Sequence, residues 1–473
     1  IKVELESPQK VPPIVNFETA GLHPAMLRNI QLAGYTTPTP IQMYSIPAIT
    51  QGHDLIAVAQ TGSGKTAAYL VPVISKLMGK AKQLCAPRPT AQDFREGCAN
   101  PVTAEPLVVI VCPARELAVQ IFNEARKFCY RSMLRPCVVY GGGPIRDQIA
   151  QLQKGCDILI GSPGRLVDLM ERQGVLSLRR VKYIVIDEAD EMLDADWEDK
   201  FNKIMSGEQD DGDIKYMMFS ATFPAAARQL AREHLAEDHV RIRVGRIGST
   251  HANILQDVVN VQRDMKKQAL LDLLMASPPE RTMVFVNSKH AADEVDDYLF
   301  NNDMPCTSMH GDRTQRERED AMRSFRSGET PIMVATAVSA RGIDVRNVMH
   351  VINYDLPSME HGGIQEYIHR IGRTGRIGHE GRATSFYNDR NEDIGPLLTM
   401  TLLETGQQIP DFLAGFVPES FVPGTDGLAK LHFDDDSDDE VDPSNDAAAG
   451  ITGGGDGWGV PAETQQPVVT DAW

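Results

Sequence analysis

Short, near-continuous apolar runs recur along this chain, each four to six residues long, rich in Val and Ile, and mostly closed by Gly, Ser, Pro or Asp. In order they are Leu55–Val58, Leu107–Cys112, Asp157–Ile160, Tyr183–Ile186 and Tyr216–Phe219. A strand with one face in water alternates apolar and polar residues, whereas a near-continuous apolar run must be covered on both faces. Parallel strands flanked by crossover helices meet that requirement, and the intervening segments carry helical spacing, so an α/β fold follows. A second set, Met283–Asn287, Pro331–Thr336, His350–Tyr354 and Ala383–Tyr387, begins after the polar stretch Val244–His251. At 473 residues the chain is too long for one core. The expected organisation is an extended lead-in over 1–16, α/β domains over 17–245 and 253–427, and a disordered acidic tail over 428–473. The stretch from Met78 to Pro106, with its prolines and two cysteines, is expected to be a surface insertion.

Directly after the first run comes Ala59-Gln60-Thr61-Gly62-Ser63-Gly64-Lys65-Thr66, and a helical pattern follows it. Glycines there let backbone N–H groups turn inward around phosphate oxygens, and a helix N-terminus favours their charge. Lys65 suits the outer phosphates of a nucleotide, and the Thr66 hydroxyl suits Mg²⁺. A plain glycine turn with one lysine is the bland alternative, which the flanking strand and helix disfavour. Ala59 stands where the simplest pattern has its first glycine. The run Tyr183–Ile186 leads into Asp187-Glu188-Ala189-Asp190. Carboxylates at the C-terminal end of a parallel strand lie where ligands bind in open α/β sheets. Asp187 can hold Mg²⁺ and Glu188 can orient an attacking water.

With these two motifs the chain resembles the DEAD-box family of ATP-dependent RNA helicases, and in detail its Vasa-like subgroup, over residues about 15–415. The resemblance implies two RecA-like parallel-sheet domains in tandem, with ATP and RNA bound across the cleft between them. Phe17, Gly34-Tyr35 and Pro38-Thr39-Pro40-Ile41-Gln42 are similar to the family's Q motif. Its Gln42 amide can accept from adenine N6 and donate to N7, a pairing guanine does not offer; helix capping is the alternative role. His369-Arg370-Ile371-Gly372-Arg373-Thr374-Gly375-Arg376 resembles the arginine-finger motif. The resemblance makes Arg373 and Arg376 the γ-phosphate contacts, couples His369 to the DEAD segment, and gives Asp344 to the ribose. Ser220-Ala221-Thr222 is similar to the motif linking ATP use to strand separation.

RNA contacts follow from the same resemblance, since no aromatic RNA-binding signature or basic run is present. In the first domain they are Arg115 in Pro113-Ala114-Arg115-Glu116, Gly142-Gly143, and Ser162 with Arg165. In the second they are Gln315, Arg318, Thr336 and Gly342. Loops that offer N–H groups and arginines to phosphates imply little sequence preference, and contact with the 2′-OH selects RNA over DNA. Three departures stand out: Ala114 replaces a common Thr, Ala337 replaces a common Asp, and His361-Gly362-Gly363 inserts before the arginine-finger helix.

The net charge of −18 would argue against a polyanion ligand were it evenly spread. Residues 431–473 hold 11 acids and no Lys or Arg, so the rest carries 54 acids against 47 bases. The tail is expected to be a solubilising polyanion or a competitor for the RNA cleft, with Trp458 and Trp473 as anchors and Ser437 as a phosphorylation candidate. Seven cysteines without metal spacing imply reduced thiols in the cytosol, nucleus or ribonucleoprotein granules. No apolar stretch reaches 18 residues, so no membrane helix is expected. The expected activity is ATP-dependent separation of short RNA duplexes, with ATP and Mg²⁺ as cofactors and single-stranded or short duplex RNA as partner. An ATP-gated RNA clamp is the alternative, a DNA translocase a disfavoured third.

Overall fold

The computed structural model describes residues 3–7, 9–86, 88–89, 102–192, 198–205, 214–222, 225–236, 238–245, 253–340, 345, 347–375 and 380–418. Among them, eight strands form one sheet. They are β1 (Val3–Glu6), β2 (Leu55–Ala59), β3 (Val108–Val111), β4 (Pro136–Val139), β5 (Ile158–Gly161), β6 (Tyr183–Asp187), β7 (Lys215–Ser220) and β8 (Val240–Val244). Their order across the sheet is β1-β8-β2-β7-β6-β3-β5-β4, parallel except for β1. A second, all-parallel sheet contains β9 (Ile254–Asn260), β10 (Arg281–Val286), β11 (Cys306–Met309), β12 (Ile332–Thr336), β13 (Val348–Asn353) and β14 (Gly381–Tyr387), ordered β11-β12-β10-β13-β14-β9. Two parallel-sheet α/β domains in tandem were expected, and the chain forms them.

Alternate residues of one strand serve separate cores. Leu55, Ala57 and Ala59 of β2 join Val108 and Ile110 of β3 on one face, whereas Ile56 and Val58 join Val109 and Val111 on the other. In the second sheet Met283 and Phe285 pack on one face, Val284 and Val286 on the other. Helices cover both faces, which is why the inner positions of these strands are apolar on both sides.

The edge strands β1, β4, β9 and β11, together with β8, lack that signature, and they are the ones the apolar runs leave out. In β8 the arginines of Val-Arg-Ile-Arg-Val point away from the core, and Arg241 and Arg243 pair with Glu6 and Glu4 of β1 at 3.2 and 3.6 Å. The lead-in thus contributes an antiparallel edge strand, and Val11 and Ile14 are buried beyond it. The 244–251 linker lies partly, and the tail from 419 entirely, outside the described residues, as do 90–101 of the 78–106 insertion.

Register in the first sheet depends on one buried carboxylate. Asp54 accepts the N–H groups of Tyr216 at 3.0 Å and Ala236 at 2.9 Å, and its carbonyl accepts from Val240 at 2.9 Å. It therefore ties the start of β2 to β7 and β8. Asp54→Ala leaves two backbone donors without their partner and should cost about 3 kcal/mol. A lower urea midpoint with unchanged slope is the expected result; an unchanged midpoint would contradict it.

Candidate active site

Parallel pairing brings the C-terminal ends of β2, β7 and β6 side by side, with Val58 opposite Ser220 and Asp187 opposite Phe219. The phosphate loop leaves β2 and turns on Gly62 and Gly64, both left-handed at φ +75° and +91°. An L-residue is strained there, so the loop needs glycine. Helix Lys65–Met78 starts at once behind it. Lys65 is buried and donates to the Ala59 carbonyl at 2.8 Å, folding its ammonium back across its own loop.

Asp187 ends β6 almost fully buried. Its Oδ1 accepts from the Glu188 N–H at 3.1 Å, and its Oδ2 accepts from the Tyr69 hydroxyl at 2.8 Å. Burial, with Glu188 adding to it, pushes the Asp187 carboxyl up to about 6 against the pull of Lys65 and Tyr69. Glu188 sits at φ +55°, a conformation that costs a residue with a Cβ about 1 kcal/mol or more. Its Oε2 is buried with no hydrogen-bond partner among the described residues. Strain and an unmet acceptor on one side chain, beside an acid of raised affinity for protons, mark a site built for chemistry. A hydroxyl, two carboxylate groups and an unmet buried acceptor suit a hard cation such as Mg²⁺ that keeps its other positions for phosphate and water. No cluster of three or more acidic, His or Cys ligands occurs among the described residues, so no protein cage competes with that arrangement.

The second domain reaches directly into this site. After the left-handed Gly362 and Gly363, helix Gly363–Ile371 presents His369, whose Nε2 lies 3.5 Å from Asp190 and Nδ1 3.3 Å from Glu191. The inserted His361-Gly362-Gly363 is thereby absorbed as the turn that starts this helix. Burial alone would push the imidazole pKa down, but Asp190, with Glu191 and Glu366, carries it up to about 9. Against the same burial, His369 and Lys65 hold Asp190 well below the usual carboxylate range. Asp190 also accepts from the Thr222 N–H and hydroxyl at 2.8 Å each, and its N–H donates to Ser220 at 3.2 Å. The Ser-Ala-Thr segment, the DEAD segment and the second domain therefore meet on one aspartate.

Close approach continues at the phosphate loop, where the Thr61 hydroxyl donates to the Gly372 carbonyl at 3.3 Å. A Cβ on Gly372 would lie 2.4 Å from that hydroxyl and 3.1 Å from the Ile368 carbonyl oxygen, so any side chain there would push Thr61 aside. Arg373 is buried, with Nε donating to the His369 carbonyl at 3.1 Å. Arg376, Asp344 and Gly342 lie outside the described residues.

Gln42 is buried and occupied within the protein. Its Oε1 accepts from the Thr39 N–H at 3.1 Å, and its Nε2 donates to the Gly64 carbonyl at 3.1 Å. The amide caps its helix and braces the phosphate loop, committing one N–H and one lone pair within the protein. Tyr35 packs on Phe128 with ring centroids 5.8 Å apart, and Phe17 belongs to the core.

The remaining candidates line the opposite wall. Arg115 packs over Gly142, which at φ +78° has no room for a Cβ beneath the guanidinium. Arg165 donates to Gln148 at 3.0 Å and to the Gly143 carbonyl at 3.5 Å, and Ser162 precedes helix Pro163–Met170. Arg115, Ser162 and Arg165 share a cavity of about 620 Å³ with Glu191 and Lys200. From the second domain, Gln315 accepts from Arg115 at 3.1 Å, and Arg318 pairs with Glu116 at 2.7 Å. Thr336 ends β12, its hydroxyl 3.3 Å from Ser339. Tyr69, Glu191 and Lys200 were not anticipated, and Glu116 stood only as the last residue of the Pro113-Ala114-Arg115-Glu116 motif. Only Tyr69 carried a local signal, one helical turn from Thr66.

Comparison with known proteins gives two family models in tandem. The one described as DEAD/DEAH box helicase matches residues 39–230, and the helicase conserved C-terminal domain matches 265–378. Among solved structures, S. cerevisiae Dbp5 bound to RNA and ADP BeF3 is 26% identical, with 84% of this chain and 95% of that chain covered and a TM-score of 0.70. Mss116p (NTE and C-tail double deletion) bound to ssRNA and AMP-PNP is 25% identical, covering 86% and 82%, at 0.69. The RNA helicase Prp28 from Chaetomium thermophilum bound to ADP is 31% identical, covering 87% and 94%, at 0.44.

The His369 contact has a pH signature. Because its pKa rises from 6.5 to about 9 when the domains meet, the proton stabilises the contact fully below pH 6.5, and that support is lost as pH rises through 9. With an ATP analogue and RNA both present, fluorescence transfer between dyes on the two domains should fall across that window. His369→Asn should flatten the profile, and an identical profile in that variant would contradict the assignment.

Proposed function

The chain belongs to the DEAD-box RNA helicase family, and within it we propose an enzyme that couples ATP hydrolysis to local separation of short RNA duplexes. One observation carries the reading: the phosphate loop, the DEAD carboxylates, the helix bearing His369 and the turn after it that bears Arg373 converge where the two domains touch.

In this reading the N–H groups of the phosphate loop surround the phosphates, and Lys65 exchanges the Ala59 carbonyl for phosphate oxygens. Thr66 and Asp187 hold Mg²⁺, which when bound neutralises charge on the phosphates. Glu188, with its unmet Oε2, orients the attacking water. Arg373, and Arg376 beside it in sequence, oppose the charge that develops on the γ-phosphate, so turnover needs the second domain in place. The free N–H and lone pair of Gln42 meet the adenine edge, with Phe17 and Tyr35 shaping its surroundings, and Asp344 takes the ribose.

RNA lies along Arg115, Gly142, Gly143, Ser162 and Arg165 of the first domain, and Gln315, Arg318, Thr336 and Gly342 of the second. Support for RNA comes from the family and from the RNA-bound relatives above. The motif details favour the Vasa-like subgroup. The six described cysteines are free thiols, which supports a reducing compartment, cytosol or nucleus. For residues 431–473 we propose competition with RNA. Deleting them should tighten RNA binding at about 50 mM salt, where charge is weakly screened; unchanged affinity would leave only a solubilising role.

A short RNA duplex should lose its labelled strand with ATP and not with ADP, GTP or a non-hydrolysable analogue. Tight ATP-dependent RNA binding without displacement would favour the clamp instead. Glu188→Gln should keep nucleotide affinity and slow hydrolysis at least 100-fold, about 3 kcal/mol of barrier. Wild-type turnover in this variant would overturn the role given to Glu188.

A further inference from the structure

We propose that Tyr69 is a positioning residue for the metal-binding half of the nucleotide site, its phenolic O–H setting the orientation of Asp187. The inference rests on the reading of that site given above. Tyr69 follows Thr66 by three residues in helix Lys65–Met78, so the two side chains lie on one face. That face looks onto the C-terminal end of β6. Its hydroxyl donates to Asp187 Oδ2 at 2.8 Å, and the Thr66 side chain faces the same phenolic oxygen. One buried hydroxyl therefore connects the two groups expected to hold Mg²⁺.

The ring has its own fixed seat. Tyr69 is fully buried and packs against Phe219 with centroids 5.0 Å apart, inclined at 58°. A phenylalanine would keep this packing, so the hydroxyl is the part that packing does not explain. With Oδ1 held by the Glu188 N–H at 3.1 Å and Oδ2 held by Tyr69, the carboxylate plane is fixed at both ends. Two lone-pair positions remain for a cation. Such outer partners commonly govern metal affinity by about 10- to 100-fold.

Tyr69→Phe removes the hydroxyl alone. Fluorescent methylanthraniloyl-ADP should bind wild type more tightly with Mg²⁺ than with EDTA. In Tyr69→Phe the affinity in EDTA should stay within about twofold, while the Mg²⁺ concentration for half-maximal effect rises about tenfold. Phe219→Leu loosens the ring contact but keeps the hydroxyl, and should leave that Mg²⁺ concentration within about twofold of wild type. Equal Mg²⁺ dependence in Tyr69→Phe and wild type would overturn the proposal. So would an equal loss with and without Mg²⁺, or a Phe219→Leu shift as large as that of Tyr69→Phe, since either reports packing. If wild type binds the analogue under neither condition, the nucleotide site itself is misassigned, and this inference falls with it.

Discussion

An imidazole held between two carboxylates joins the halves of this molecule. His369 belongs to the second domain and Asp190 and Glu191 to the first, and all three are buried together. Burying a charged histidine or aspartate alone would be costly, so each group is tolerable there only while the other is present. That mutual dependence makes the contact a two-state element. Separated, the imidazole loses both carboxylates while Asp190 keeps Ser220 and Thr222; joined, they carry the Ser-Ala-Thr segment, the DEAD strand end and the His369 helix into one arrangement. The two interdomain pairs at the opposite wall, Arg318 with Glu116 and Arg115 with Gln315, extend the same coupling to side chains assigned to RNA. Ligands that contact both domains can shift such an equilibrium only through their preference for the joined state.

Where the chemistry is local, the sequence displays it. Gly62 and Gly64 turn a loop between adjacent elements, and the DEAD carboxylates follow directly on the run Tyr183–Ile186, so spacing along the chain is enough to place them. The central strands are legible for the same reason. The strand β8 was not, because Arg241 and Arg243 interrupt its apolar pattern and find their partners only in β1, more than 230 residues away in sequence. Gln42 shows a different limit: its amide was read as an adenine contact or a helix cap, and the buried geometry gives it the cap and a bond to the phosphate loop at once.

Contacts between domains were the least legible. Nothing in Pro-Ala-Arg-Glu announces that Glu116 meets Arg318, since each is an ordinary surface charge on its own helix. Glu191 is likewise one acid after a motif until His369 arrives opposite it. Tyr69 lies between these cases: its spacing from Thr66 is local, but its partner Asp187 is 118 residues further on. Side chains whose partners lie across a tertiary boundary carry no periodic or spacing signal, and they are the ones that the fold must supply.

The central claim is that the catalytic arrangement exists only when the domains are joined, and that nucleotide and RNA join them together. Single-molecule transfer efficiency between dyes on the two domains tests it most directly, in four conditions: no ligand, ATP analogue alone, RNA alone, and both. The account predicts a dominant joined population only with both ligands present, because in the proposed reading each contacts groups on both domains. A joined population already complete with one ligand, or unchanged across all four conditions, would contradict it.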